Sequence, residues 1–166
     1  LKAAINQAVR EEKLQNNPGN GIKISRKQPE TNYLTLDELK ILKDTPCNHP
    51  SIKNAFLFSC FTGLRYSDIV SLVWQDIEEG AIVKRQQKTQ TFVKVKLADT
   101  ALEILDKQKE IMKDYPGDII FDLLVNHLTN EYLKMWIAIA GIKKKITFHC
   151  ARHTFATMCI SHGIDI

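Results

Sequence analysis

One segment near the end of the chain, Thr147–Ser161, constrains the fold more than any other; its sequence is TFHCARHTFATMCIS. Threonine is a favoured N-cap residue and glycine, here Gly163, a favoured C-terminal stop, so the segment predicts one α-helix. Apolar residues recur along it at helical spacing, at Phe148, Ala151, Phe155 and Met158. The chain must therefore fold so that this stripe is covered by a core.

Two chemically active side chains lie beside that stripe. His149 and Arg152 are three residues apart, so they are neighbours on the helix surface. An imidazole that titrates near neutral pH and a permanently charged, planar guanidinium are thus held together. This pair suits an oxyanion with several oxygens, above all a phosphate.

Most of the remaining chain predicts helices. The T-x-x-E pattern at Thr35 is a capping box, and Ser51 is expected to cap a helix that is apolar nearly all round and forms the centre of the core. Gly63 ends that helix and Ser67 is expected to cap a short one, which places Arg65 in a tight connection between them. Asp99 is expected to cap a long helix that runs to about Lys113, and a further helix is expected at Thr129–Ala140.

A change from helical to alternating periodicity marks a small sheet. Strands are expected at Ala81–Arg85 and Thr91–Leu97, joined by the polar turn Gln86–Gln90 with Lys88 at its tip. A short strand just before them completes an antiparallel three-stranded sheet. The predicted fold is therefore α+β and mainly α, a helical domain with this sheet on one side.

The N-terminal part has a different organisation. Leu1–Lys13 carries a helical apolar stripe, and Asn16–Gly21 then interrupts the chain with Asn, Pro and Gly residues. We interpret residues 1–24 as the last helix of a preceding domain with a linker. Residues 25–166 then form the main domain.

The charge is modest, but its distribution is informative. Twenty-three Lys and Arg residues against nineteen Asp and Glu residues give a net charge of +4. Basic residues cluster in the predicted hairpin and just before the His149 helix, and these are the expected nucleic-acid contacts: Lys84, Arg85, Lys94, Lys143, Lys144 and Lys145. A solvated lysine surface would show the same clusters, so charge alone does not decide.

Cysteine usage and hydropathy indicate a cytoplasmic protein. The four cysteines include no C-x-x-C pair, so we expect them to be reduced and mostly buried thiols. No apolar run approaches the ~20 residues that span a bilayer, and no secretory leader is evident.

Three segments resemble the motifs of one family in the family's order. His149–His153 resembles the H-x-x-R box of the tyrosine recombinases, or phage integrases. Thr62–Ile69, with the sequence TGLRYSDI, resembles their first arginine box, and Gln87–Thr89 resembles their lysine turn. The resemblance covers about Asn32 to Ile166.

The resemblance implies site-specific DNA recombination or integration through a 3′-phosphotyrosine intermediate, without metal or other cofactor. Arg65, Lys88, His149 and Arg152 match four catalytic positions. Asp68 is expected to hold the guanidinium of Arg65, and His153 to support the site by packing or hydrogen bonding. Residues 1–24 would end the family's core-binding domain, and the full-length protein would act as a tetramer on paired sites in double-stranded DNA.

One departure concerns the nucleophile. The family's tyrosine follows the H-x-x-R helix, whereas all four tyrosines here precede it: Tyr33, Tyr66, Tyr115 and Tyr132. We therefore expect a catalytic domain lacking its C-terminus, inactive by itself. With its core uncovered near Phe155 and Met158, such a fragment is expected to be a monomer or to self-associate.

Other readings remain open at this stage. A type IB topoisomerase would share these residues and relax supercoils, and a DNA-binding module could keep the fold without chemistry.

Zinc between His149 and His153 is disfavoured, because Cys150 stands where metalloproteases of this spacing carry Glu. No carboxylate cluster suggests another metal, and element integration, excision and chromosome resolution are all compatible with these residues.

Overall fold

The fold is built around one apolar helix, α3 (Pro50–Thr62), which packs against the helices that follow it. A computed structural model describes residues 2–18, 32–85 and 91–163. Ala55, Phe56 and Phe58 of α3 are completely buried. An apolar surface on all sides of a helix requires such enclosure, so the prediction of a central buried helix is confirmed.

The chain divides into two compact units, residues 1–30 and 31–166. The first contains α1 (Lys2–Arg10), after which Asn17 Nδ2 donates a hydrogen bond to Asn6 Oδ1 at 2.7 Å. The interpretation of residues 1–24 as the end of a preceding domain stays a prediction.

The described part of the second unit contains six α-helices, a short 3₁₀ helix (Trp74–Asp76) and a sheet. The bounds of the helices other than α3 are α2 (Leu36–Asp44), α4 (Tyr66–Val70), α5 (Asp99–Ile111), α6 (Asn126–Ile139) and α7 (Cys150–Ser161). The predicted capping box of α2 is confirmed, because Glu38 N–H donates to Thr35 Oγ1 and Thr35 N–H donates to Glu38 Oε2.

The expected N-caps at Ser51, Ser67 and Asp99 are wrong, and Ala98 is the N-cap of α5. Helix α3 begins at Pro50 and its N-cap is His49. Proline is favoured at the first helical position, because its missing N–H would have no partner within the helix there. The hydroxyl of Ser51 instead accepts a hydrogen bond from Gln108 Nε2 at 3.2 Å. Arg65, not Ser67, occupies the N-cap position of α4.

The sheet has the three antiparallel strands that were predicted. Strands β1 (Ile77–Glu78), β2 (Ala81–Arg85) and β3 (Phe92–Lys96) are antiparallel in the order β1-β2-β3. Arg85 lies opposite Phe92 in the register. The turn expected to connect these strands, including Lys88, lies outside the described residues. The α+β, mainly α prediction is confirmed.

The cysteines match the expectation of buried thiols in part. Cys60 and Cys150 are buried, whereas Cys47 and Cys159 are half-buried, and all four are free. Burial raises the pKa of the Cys60 thiol well above its usual range, and the nearby Cys150 raises it further. Cys60 is therefore a packing residue. In the described ranges, no helix is both long and apolar enough to cross a membrane.

Candidate active site

The N-terminal end of α7 differs from the sequence expectation. Regular α-helix begins at Cys150, after a tight turn in which Cys150 N–H donates to Thr147 O at 2.9 Å. Thr147 is therefore not the N-cap of the α-helix, and its main-chain N–H points to Cys150 Sγ at 3.3 Å. His149 takes the N-cap position and is exposed.

Phe148 fixes this turn to the core. Its side chain is only 2% exposed, and its ring meets those of Phe56 and Tyr66 edge-on, with centroids 5.8 and 5.0 Å apart. Its main-chain N–H donates to Asn130 Oδ1 at 2.7 Å. Because both the ring and the amide of Phe148 are held, the backbone that carries His149 has a defined position.

Arg152 is anchored to a backbone carbonyl in the first arginine segment. Its Nη1 donates to Gly63 O at 2.7 Å. A guanidinium carries five N–H donors, so this bond leaves others for a bound oxyanion. Gly63 stands two residues before Arg65 and ends α3 in a left-handed conformation, with φ of 68°.

Arg65 lies in the tight connection predicted for it, between α3 and α4. Its carbonyl accepts hydrogen bonds from the N–H groups of Asp68 and Ile69, both at 3.0 Å. Asp68 is completely buried one turn further on. The expected bond between the Asp68 carboxylate and the Arg65 guanidinium stays a prediction.

The three described members of the predicted catalytic set line one pocket of about 450 Å³. These are Arg65 and His149, at the N-cap positions of α4 and α7, and Arg152 in the first turn of α7. The same pocket is lined by Leu64, Tyr66, Ser67, Asn126, Asn130, Thr147 and Phe148. None of these lining residues is acidic, so the pocket favours an anion. Lys88, the fourth predicted member, lies outside the described residues.

Sequence reasoning missed the two asparagines of this pocket. Asn130 Nδ2 donates to Asn126 O at 2.8 Å and to Asn126 Oδ1 at 2.7 Å, while its own oxygen accepts from Phe148. Asn126 and Asn130 are four residues apart in the sequence, a spacing that makes two side chains neighbours on a helix. This signal was lost because α6 was expected to begin at Thr129, whereas it begins at Asn126.

His153 contacts His149 directly. Their rings meet edge to face, with centroids 4.7 Å apart and an interplanar angle of 88°. His153 is half-buried, so it can limit the orientations open to the exposed His149 ring. Within the described ranges, His, Cys, Asp and Glu side chains form no group of three or more that could hold a metal ion.

Lys84 has a different environment from the one expected of a DNA contact. Its Nζ donates to Asp76 Oδ2 at 2.8 Å and to the carbonyl of Ser71, and its side chain is only 11% exposed. Arg85 and Lys94, on β2 and β3, are exposed. The geometry therefore argues against a phosphate contact by Lys84. It connects β2 to the segment that follows α4.

Lys84→Met should lower the free energy of unfolding by roughly 1.5–3 kcal/mol, because the shielded Asp76 carboxylate loses its charged donor. Urea unfolding of the chain measures this. Lys94→Met is the matched control and should change the free energy by less than about 0.5 kcal/mol, since Lys94 is exposed. Equal effects of the two substitutions would show that the Lys84–Asp76 pair contributes nothing.

The lysine run before α7 also divides into two kinds of residue. Lys144 Nζ donates to Glu38 Oε2 at 2.7 Å and to Tyr33 O at 3.2 Å, so its ammonium holds α2 near this loop. Lys143 and Lys145 are exposed. With Lys134 they line a groove of about 520 Å³ that shares Asn130 and Thr147 with the candidate site. We call it the basic groove.

Comparison with known proteins identifies related sequences over most of the chain. Residues 32–166 match the family model described as the phage integrase family. The integrase of Salmonella phage P22 is 30% identical over the whole chain, which corresponds to 46% of that integrase. Tyrosine recombinase XerD of Listeria monocytogenes is 32% identical over 63% of the chain and 39% of its own length. The chain thus spans less than half the length of these curated relatives.

Solved structures show the same fold. The catalytic core of lambda integrase has a TM-score of 0.65 at 25% identity, covering 78% of this chain and 84% of that one. A lambda integrase tetramer bound to a Holliday junction has a TM-score of 0.77 at 22% identity, covering 98% of this chain and 52% of that one.

Proposed function

As the chain belongs to the phage integrase family, we propose that it is the catalytic domain of a tyrosine recombinase that cleaves and rejoins double-stranded DNA at specific sites. The observation that carries this proposal is the meeting of Arg65, His149 and Arg152 in one pocket without an acidic lining residue. Binding alone needs basic residues, but it does not need an imidazole in the same pocket as two arginines.

The proposed substrate group is the phosphodiester at the cleavage site. Arg65 and Arg152 would each donate hydrogen bonds to its non-bridging oxygens, and both stay charged at any relevant pH. Negative charge builds on these oxygens as phosphorus is attacked, so fixed donors there stabilise the transition state more than the ground state. His149 supplies a further donor or accepts a proton.

In the proposed reaction a tyrosine hydroxyl oxygen bonds to phosphorus, and the bond from phosphorus to the 5′ oxygen breaks. The protein is then joined to the 3′ phosphate. Lys88 donates the proton that the departing 5′ oxygen takes up, while the phenol proton passes to a base. Rejoining reverses these steps, so the phosphodiester bond energy is conserved and no ATP is needed.

The attacking tyrosine is proposed to belong to a part of the protein outside residues 1–166. Tyr66 lines the pocket, but its hydroxyl donates to Leu124 O and lies 3.3 Å from Thr129 Oγ1. Its ring also packs on Phe148. These contacts make Tyr66 part of the pocket wall.

A nicked duplex that releases a short strand on cleavage tests the proposal, because the released strand cannot be rejoined. The full-length protein should form an adduct with this DNA that survives denaturation and forms equally well in excess EDTA. Peptide mapping of the adduct should identify a tyrosine. Absence of an adduct, or an adduct on Tyr33, Tyr66, Tyr115 or Tyr132, would contradict this assignment.

The basic groove is the proposed path of the DNA backbone next to the cleaved phosphate. It is continuous with the candidate site through Asn130 and Thr147, and Lys134, Lys143 and Lys145 line it. Arg85 and Lys94 on the exposed face of the sheet are proposed as further contacts. Lys84 and Lys144 are left out because shielded carboxylates hold their ammonium groups at 2.8 and 2.7 Å. The pair of Lys134 with Glu131, which also lines the groove, is longer at 3.9 Å and exposed.

Lys143→Ala and Lys145→Ala should each weaken DNA binding and flatten the plot of log affinity against log salt by about 0.9, since each contact releases counterions from one phosphate. Fluorescence anisotropy of a labelled duplex measures both. Lys109→Ala on α5 is the matched control, because this exposed lysine lines neither the groove nor the candidate site. Unchanged slopes for Lys143 and Lys145 would move the DNA path elsewhere.

We also propose that the full-length protein assembles as a tetramer on paired sites and works in the cytoplasm. Support for assembly comes from the lambda integrase tetramer that shares this fold. Light scattering of the protein with a duplex carrying one site, and with paired sites, tests this. A stable tetramer only with paired sites is the expected result.

A further inference from the structure

Helix α7 contacts the connection between α3 and α4, residues 63–65, at two points that lie one turn apart on the helix. The first is polar, from Arg152 Nη1 to Gly63 O at 2.7 Å. The second is steric, because the Phe155 ring lies against the Cα of Gly63. A Cβ built on Gly63 would stand 2.5 Å from Cδ1 of Phe155 and 2.9 Å from Cε1. Real Cβ contacts are essentially never that close, so only glycine fits here without a shift.

The connection between Gly63 and Arg65 is itself held at successive main-chain groups. Gly63 N–H donates to Ser59 O at 2.9 Å, and the hydroxyl of buried Ser59 donates to Leu64 O at 2.8 Å. The carbonyl of Arg65 accepts from the first turn of α4. A displacement of Gly63 is therefore expected to move Arg65, which lies two residues further on in the same held segment.

We propose that Gly63 and Phe155 are positioning residues for the two arginines, setting the separation of Arg65 and Arg152 before DNA binds. Phe155 prevents closer approach of α7 to the connection, and the bond from Arg152 to Gly63 O prevents its withdrawal. The inference rests on the proposed function, because it concerns how these arginines hold a phosphate. On this proposal, the contact between Gly63 and Phe155 does more than stabilise the end of α3, because it also positions the groups that act in catalysis.

A Cβ at position 63 would force the half-buried Phe155 ring, the connection or α7 to move. On the proposal, this disturbs the contact that sets the gap between the arginines. Gly63→Ala also strains the backbone, because φ is 68°. Gly80 and Gly141 both have φ of 73° with nothing within 4 Å of an added Cβ. Gly80→Ala and Gly141→Ala are therefore matched controls, which carry the backbone strain without the steric contact.

The test measures single-turnover cleavage of the nicked duplex by the full-length protein at saturating DNA, together with Kd and the unfolding midpoint. Gly63→Ala should slow cleavage roughly 10–100-fold, the scale expected when reacting groups are misplaced by about 1 Å, with Kd changed less than about threefold. The two control variants should cleave at close to the original rate. Equal slowing in all three would reduce the effect to backbone strain and overturn the proposal.

A double substitution separates the ring contact from the strain. Gly63→Ala combined with Phe155→Ala removes the atoms that the new Cβ would meet, so it should recover part of the cleavage lost in Gly63→Ala. Phe155→Ala alone should slow cleavage, because nothing then limits the approach of α7 to the connection. A Phe155→Ala variant that cleaves at the original rate would show that the ring is not what positions the arginines.

A second readout does not depend on cleavage. The guanidinium of Arg152 should show slow Nε–Cζ rotation by NMR without DNA, because Gly63 O holds it, and this slowing should be lost in Gly63→Ala but kept in Gly80→Ala. Fast rotation in the unsubstituted protein would overturn the preset arrangement. The unsubstituted protein could form no DNA adduct and still give these NMR results. That outcome would contradict the proposed function, while the positioning of Arg152 by Gly63 would be retained.

Discussion

Replacing Arg152 by alanine should slow DNA strand cleavage roughly 10²–10³-fold, equivalent to about 2.7–4 kcal/mol of transition-state stabilisation. DNA affinity should change far less, because the charge that this guanidinium meets builds up on the phosphoryl oxygens during the chemical step. The substitution also removes the donor to Gly63 O. Single-turnover cleavage at saturating DNA, with Kd measured separately, tests both expectations in the full-length protein.

Arg152→Lys is the matched variant, because it keeps the charge but has no planar set of donors. An ammonium cannot hold Gly63 O and two phosphoryl oxygens in the guanidinium geometry, so cleavage should fall between that of Arg152→Ala and the original protein. Equal losses in binding and cleavage for Arg152→Ala would instead make Arg152 a ground-state phosphate anchor.

Replacing Phe148 by alanine should lower the free energy of unfolding by about 3–5 kcal/mol, the usual effect of deleting a buried aromatic ring. Phe148 is 2% exposed and packs edge-on against Phe56 and Tyr66, so its loss leaves a cavity between α3, α4 and α7. Urea unfolding followed by circular dichroism measures the change. The folded fraction should also cleave DNA more slowly, because His149 follows Phe148 directly.

Phe92→Ala is the control for this substitution. Phe92 is 73% exposed at the start of β3, and its replacement should change the free energy of unfolding by less than about 0.5 kcal/mol. Phe148→Leu should destabilise less than Phe148→Ala, since it leaves a smaller cavity. A loss below about 1 kcal/mol for Phe148→Ala would mean that the turn carrying His149 is not held by this packing.

Elements whose signals are local in the chain were predicted well. The capping box at Thr35 and Glu38 joins residues three apart, and the structure contains both of its hydrogen bonds. Strand β2 has the predicted bounds, because alternating residues next to turn signals define a strand without distant contacts. The prediction of family membership succeeded for the same reason, since each matching motif is a short contiguous segment.

The start of α7 was predicted less well because one distant and one local group compete for its first N–H groups. Asn130, which is 18 residues away, accepts the N–H of Phe148. The N–H of Thr147 points to the sulfur of Cys150. In a regular N-cap, the threonine hydroxyl would instead accept a hydrogen bond from an N–H group of the first helical turn. A threonine before an apolar stripe is therefore a sound signal for a helix start, but the tertiary neighbours decide at which residue the α-helix begins.

The two predicted basic clusters each contain residues of different kinds. Alternation along β2 and β3 separates the faces of the sheet, but it does not say which lysine has a carboxylate within reach. Asp76 binds Lys84 and Glu38 binds Lys144, across 8 and 106 residues respectively. Only packing brings these partners together, so the sequence could not distinguish these lysines from Lys94, Lys143 and Lys145.

The sequence by itself determined the chemical groups of the candidate site and the elements that carry them, because His149, Arg152 and the TGLR segment are read from neighbouring residues. Only the tertiary structure decided how these groups are joined. The bond from Arg152 to Gly63 O spans 89 residues, and the Phe155 ring meets Gly63 across a similar separation. The physical reason is that caps and strand alternation depend on residues a few positions apart, whereas a pocket depends on which distant backbones pack together.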